Sequence, residues 1–324
     1  MYLISLLALV AVPLQQGTQT DTTVAVSQGT RLRVENQGGD ILVHAWDKNQ
    51  VRIQASHSRR SHIVARLTGA VLSIEAQADR GPGNMVDYEL TVPSWMPLKL
   101  GGMYATVTVD GSKAPIEVET LEGDITIKGG AELVKLGSVQ GKIVVSGTRG
   151  RLELNSVSED VEASDIQGDI VVETVSGDVI LRRIDAKSVE VETVSGELYY
   201  DGRVMDGGHY SLLTHSGEIY FSVAEATNAT IATAIGSGDV SASFPLPNSE
   251  RPSRRRQTYR LGNGSAAVEL ETFSGDINLM RPSELSARLD RIMRAREERE
   301  AAKAAHKYNK KPDHDNDHDR EGSF

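Results

Sequence analysis

The sequence predicts an all-β fold: a parallel β-solenoid with two strands per rung of roughly 18 residues, preceded by an irregular β segment and followed by a C-terminal helix. Three observations carry this expectation. The first is a nine-residue apolar period that starts near Ala105. It places Val107, Ile116, Ile125, Val134, Ile143 and Leu152 in one position, and Val109, Val118, Ile127, Leu136, Val145 and Leu154 two residues later. The residue between is mostly polar, which is the alternation of a half-buried strand. The second is a set of glycines at the expected bends, Gly123, Gly141, Gly168, Gly177 and Gly196. Glycine takes a positive φ there without steric cost. The third is composition. The chain has 30 glycines, only 5 % aromatic residues and no cysteine. That mix suits many short strands and tight turns.

Taken in chain order, Tyr2 to Leu14 form an apolar run followed by a small, polar stretch, so residues 1–20 read as an export signal. The run is too short to span a bilayer as a helix but suits the apolar region of a signal peptide. No Lys or Arg precedes it. No later segment is apolar enough to cross a membrane, so the mature chain is expected in the periplasm or at the cell surface. The absence of cysteine removes disulfide staples, thiol nucleophiles, Cys-ligated zinc and a lipid-modified cysteine anchor.

Residues 21–100 read as strand and turn without a strict repeat. Arg31–Val34, Ile41–Val43, Val51–Ile53 and Val86–Val92 alternate apolar with polar, and Asp47–Asn49 and Gly81–Asn84 punctuate them as turns. Pro93 and Pro97 close the segment, because neither can donate to a central ladder.

Residues 101–281 carry the repeat. Units of nine alternate between two types, so the period is 18; one type reads ETLEGD, GSVQGK, NSVSED, ETVSGD and ETVSGE. Such a period implies stacked rungs around a thin aliphatic interior. Thr120, Ser138, Ser156, Thr174 and Thr193 form a hydroxyl column able to bond turn backbone. Further on, Gly217, Gly238 and Gly275 continue the repeat, and the last step contains an insertion, residues 245–264. After Pro282 the period becomes helical. Ser283 is the expected N-cap, Leu285, Leu289, Ile292 and Met293 share one face, and residues 282–308 are expected to cap the solenoid's terminal strand. Residues 309–324 are expected to be disordered.

The order of these motifs resembles a known family. Gly39-Asp40-Ile41-Leu42-Val43-His44-Ala45-Trp46-Asp47, then Val86-Asp87-Tyr88-Glu89-Leu90-Thr91-Val92-Pro93, then the ETVSGD-type units are similar to the bacterial "putative adhesin" family of uncharacterised β-strand-repeat proteins, a domain of unknown function. The resemblance covers roughly Val26 to Leu279 and departs at Gly101–Thr106, where another Val-Ser-Gly-Asp-like unit is expected. It implies an envelope-exposed solenoid and supplies no catalytic residues.

Candidate chemistry is sparse. Asp124, Asp160, Asp178, Glu197, Glu218, Asp239 and Asp276 each follow a turn, with Lys142 interrupting. The column reads as a solvated edge in preference to a calcium ladder. Regular repetition also argues against paired catalytic carboxylates. His215 reads as structural, and the Asp/His run from Asp313 to Asp319 as a polar tail. No enzyme, metal or cofactor is expected. The net charge of −10 argues against nucleic acid. The one basic concentration lies in the insertion: Arg251, Arg254, Arg255, Arg256 and Arg260, a candidate anion-binding loop. The expected role is therefore an envelope binding or adhesin-like scaffold for a polysaccharide, an anionic polymer or an envelope protein. The alternative is a sensor of envelope state coupled to a membrane or anti-sigma partner.

Overall fold

The computed structural model describes residues 18–78, 85–247 and 255–309. The export-signal residues up to 17 and the tail from 310 therefore lie outside the described residues. The chain divides into two compact units, Met1–Pro282 and Ser283–Phe324.

The first unit is all β. Its strands are β1 (Gln19–Ala25), β2 (Arg31–Gly38), β3 (Ile41–Trp46), β4 (Gln50–Ser56), β5 (Ser61–Thr68), β6 (Val71–Ala78), β7 (Asp87–Pro93) and β8 (Leu98–Tyr104). Then follow β9 (Val107–Ser112), β10 (Ile116–Glu122), β11 (Ile125–Gly129), β12 (Ala131–Gln140), β13 (Ile143–Ser146), β14 (Arg149–Ser156), β15 (Val161–Ser164) and β16 (Ile170–Ser176). Two long bent strands come next, β17 (Val179–Ser195) and β18 (Leu198–Ser216). The unit ends with β19 (Ile219–Ser222), β20 (Ala229–Ser237), β21 (Val240–Ala242), β22 (Arg256–Leu261), β23 (Ala266–Ser274) and β24 (Ile277–Met280). Among the described residues these twenty-four strands belong to one hydrogen-bonded network of mixed orientation.

In the middle of the chain the pairing follows the repeat. Ile116 pairs in parallel with Val134, Val134 with Leu152, and Leu152 with Ile170. Val107, Ile125, Ile143, Val161 and Val179 form a second parallel series. Both series point inward and are essentially inaccessible. The reason is the two-residue side-chain period, which turns each alternating segment's apolar set to one side. The expected inward columns are thus the core. Near β18 the aliphatic filling turns aromatic: Tyr200 stacks on Phe221, and Tyr210 meets both edge-on.

The corners depend on glycine. A Cβ on Gly196 would lie 2.0 Å from the Gly177 carbonyl oxygen, and one on Gly217 equally close to that of Gly196. Gly196 also has φ +152°. The expected hydroxyl column is buried and bonds the turns: Thr120 donates to Gly123 O, Ser156 to Glu159 O and Thr272 to Gly217 O.

Four expectations need correction. The segment before residue 100 is not irregular. β2 and β6 extend the first series, β3 and β7 the second, and β8 (with Gly101 and Gly102) pairs in register on both sides. Gly102 is required there, since a Cβ would fall 2.4 Å from Asn36 O. Second, the network is not purely parallel. At one end β5 lies antiparallel to β6, and β1 to β4 to β7; at the other, β22 lies antiparallel to β20. A short return suffices to add an antiparallel strand, whereas a parallel one needs a crossover.

Third, stacking order departs from chain order. β2 sits between β6 and β8, and β3 between β7 and β9. Likewise β23 sits between β18 and β20, and β24 between β19 and β21. The strand preceding the helix, β24, is therefore paired on both sides. Fourth, α1 (Pro282–Asn309) starts where expected, but Pro282 and Ser283 both lie in its first turn, so Ser283 is not the N-cap. Proline's fixed φ and missing N–H suit that position better than Ser283 suits an N-cap. Along α1, Leu285 and Leu289 are buried and Ile292 and Met293 half-buried.

These corners set a direct expectation. Gly196→Ala should cost about 3 kcal/mol or more, since a backbone carbonyl must move. Gly207→Ala should cost only about 1 kcal/mol, the price of φ +69° with nothing within 4 Å. Equal shifts in urea melts would refute the corner packing.

Candidate functional site

The acidic column is structural in a specific way. Asp124 Oδ1 accepts the Lys142 N–H at 2.8 Å, Asp160 that of Asp178 at 2.8 Å, and Asp178 that of Glu197 at 2.9 Å. Each aspartate thus holds the corner amide of the next rung. Asp87 does the same for Asp40, and Asp276 for Asp239, following spatial rather than chain order. A glutamate, one methylene longer, is used differently: Glu197 and Glu218 accept the hydroxyls of Tyr199 and Tyr220, whose rings stack at 4.7 Å. Lys142, the interruption, lies 3.0 Å from the Glu162 carboxylate. Among the described residues no three His, Asp or Glu side chains converge as metal ligands.

A surface groove of about 520 Å³ also contains acids. There Arg52 donates two hydrogen bonds to Asp21, at 3.0 and 2.6 Å, and holds its carboxyl below the usual range. The groove has no His or Lys in its lining. Burial pushes the hydroxyl of Tyr88, also in the lining, above its ordinary pKa, so it stays protonated at neutral pH. His215 stacks on Phe273 with ring centroids 4.9 Å apart. The Asp313–Asp319 run lies outside the described residues.

The predicted anion-binding loop is in part a strand. Arg251 and Arg254 lie outside the described residues. Arg255 is exposed just before β22, and its carbonyl accepts the Ile235 N–H at 2.8 Å. Arg256 and Arg260 stand on one exposed side of β22, while Tyr259, from the opposite side, is buried. Burial raises the pKa of the Tyr259 hydroxyl. The Arg260 guanidinium donates to Asn263 O at 2.8 Å. Arg256 and Arg260 are four residue steps apart on the strand, roughly 14 Å along the chain. β22 pairs only with β20 among the described strands, so two cations stand on an outermost strand. This is an arrangement that blunts edge-to-edge pairing. Arginine-rich sequence masked the Tyr259/Leu261 alternation that would have marked the strand.

The column of corner acids yields a measurable distinction. Asp178→Ala, which leaves the Glu197 amide unbonded, should cost about 1–2 kcal/mol. Asp178→Asn keeps an acceptor and should cost less than about 1 kcal/mol. Thermal melts showing no difference between the two would remove the proposed role of the carboxylate.

Comparison with known proteins gives the same family as the motif order. No curated protein matches the chain. Among solved structures, it is similar to a "putative lipid binding protein" of Parabacteroides distasonis, at 12 % identity and a TM-score of 0.43, over 81 % of this chain and 97 % of that one. It is similar to a "putative adhesin" of the same organism at 12 % identity and TM-score 0.36, over 81 % and 97 %. It also resembles a "putative cell adhesion protein" of Clostridium sporogenes at 12 % identity and TM-score 0.23, over 81 % and 99 %. The model of the family described as Toastrack DUF4097 matches residues 29–280. The chain belongs to the Toastrack DUF4097 family.

Proposed function

We propose that the chain is an exported, non-catalytic, adhesin-like binding scaffold of the bacterial envelope. In this reading residues 1–20 are the export signal, 21–100 lead into the solenoid, 101–281 form it, 282–308 are a charged helix and 309–324 a polar tail. The solenoid has two strands per rung of roughly 18 residues, which gives a rigid, elongated surface in place of a cleft.

One observation carries the reading. The repeated acids and hydroxyls bond backbone at the corners, so the polar repeat serves the fold. The basic residues do not follow the repeat. Arg255, Arg256 and Arg260 lie on or just before β22, an outermost strand of an acidic protein, and Arg251 and Arg254 belong to the same insertion in the sequence. Guanidinium groups spaced along a strand suit successive carboxylates or phosphates of an envelope polymer better than one small anion.

Binding of the purified chain to a polyuronate and to a phosphate-bearing cell-wall polymer tests this. At low salt the wild type should bind one of them. The Arg255→Gln, Arg256→Gln, Arg260→Gln triple variant should bind at least about tenfold more weakly with an unchanged melting temperature. Replacing residues 248–257 by a linker is not equivalent, because it removes the start of β22. No binding by the wild type, or equal binding by the variant, would overturn the assignment.

A further inference from the structure

One column of the repeat has no structural employment. The residue after six of the seven corner hydroxyls is apolar and exposed: Leu121, Val139, Val157, Val175, Val194 and Phe273, with Met103 one rung before them. Their exposures run from 37 % to 62 %. The register fixes their alignment, since the preceding residues pair as Thr120, Ser138, Ser156, Thr174, Thr193, Thr214 and Thr272. His215 fills the Thr214 rung and stacks on Phe273, continuing the row. At about 4.8 Å per rung, the six steps from Leu121 to Phe273 span roughly 29 Å. An apolar row of this length, interrupted by the His215 ring alone among these rungs and with solvent along it, marks an interaction surface.

The row's borders say what fits. Two residues before it stand the exposed carboxylates of Glu119, Glu173, Glu192 and Glu271. Three residues after it run Asp124, Lys142, Asp160, Asp178, Glu197, Glu218 and Asp276, acidic but for Lys142, whose ammonium lies 3.0 Å from the Glu162 carboxylate. A stripe one side chain wide and bordered by negative charge repels an anionic lipid surface. A second copy laid face to face would set carboxylates against carboxylates. The row has one aromatic carbon ring along its length, which does not suit stacking of successive sugars. Its length equals that of a helix of about 20 residues.

We infer that this corner stripe is a docking surface for an amphipathic helix of a partner protein, with an apolar seam flanked by Lys or Arg. The seam would lie along the valines, and the flanking cations between the two carboxylate rows. This inference rests on the reading of the chain as a binding scaffold but uses side chains other than the β22 arginines, whose strand begins two strands from Phe273.

The test uses a labelled helical peptide of about 20 residues with leucines along one seam and lysines beside them. Its partners are a scrambled peptide of equal composition and a version with glutamate for lysine. Fluorescence anisotropy with the full chain should show binding of the first peptide alone, weakened by salt. Val157→Thr, Val175→Thr, Val194→Thr keeps β-branched shape and should melt within a few degrees of the wild type. It should lose at least about tenfold in peptide affinity. Equal binding of the scrambled peptide would reduce the effect to net charge and overturn the inference. So would binding of the glutamate version, or full binding by the valine variant. Wild-type dimerisation in sedimentation that the valine variant abolishes would assign the stripe to a second copy instead. If the valine variant still binds the anionic polymer, failure here leaves the β22 reading standing; loss of polymer binding in the arginine variant alone bears only on that reading.

Discussion

At the glycine corners Gly123, Gly141, Gly177, Gly196, Gly217 and Gly275 the carbonyl oxygen of the adjacent turn lies within 2.6 Å of the place where a Cβ would be. That contact fixes the separation of neighbouring rungs to the hydrogen-bonding distance of a parallel ladder, and the remaining features follow from it. With the corners at strand spacing, inward residues from successive turns touch along the axis, and small aliphatic side chains fill the interior. The hydroxyl beside each glycine then lies within reach of a turn carbonyl, and the aspartate beyond it within reach of the next amide. Thus glycine, hydroxyl and acid form one device, repeated.

The same spacing separates aspartate from glutamate. The shorter arm reaches an amide on the adjacent rung, whereas the longer arm at Glu197 and Glu218 meets a phenol on its own strand. Tyrosines 199 and 220 are also where the outward side of the strands is buried, so the change of acid and the change of surroundings occur together. Electrostatics here is local chemistry at a backbone group and not a field along an edge.

Much of this was legible in the sequence because it is set within one strand and one turn. Alternation at Val107 and Val109, or at Ile143 and Val145, names the inward side without reference to any partner. Glycine and hydroxyl spacing name the corner. What the sequence did not disclose is which rung lies beside which. Val268 and Leu270 present the same inward pair as Ile231 and Thr233 or Tyr210 and Leu212, so any of them can pair in the same register. Only the long step from Gly238 to Gly275 hinted at rearrangement. The arginine loop was half legible: its charge was plain, but its strand character lay in the Tyr259/Leu261 alternation between exposed cations. The bonding of Asp178 to a neighbouring amide depends on proximity between rungs, which composition does not record.

The displaced order at the two ends has a consequence for how such a chain can vary in length. Rungs in the middle are interchangeable: each is laid on its predecessor and carries its successor, so one more or one fewer changes nothing beyond the total. The ends are not. β2 and β3 are held between later strands, and β23 and β24 between earlier ones, so each end is a closure made by segments distant in the chain. Duplication or loss of a whole period between β9 and β16 leaves both closures intact, while a change beyond them removes the neighbour of a strand already in place. Relatives should therefore differ by whole periods in the centre and keep their two ends constant, like a ladder that can gain rungs but not new feet.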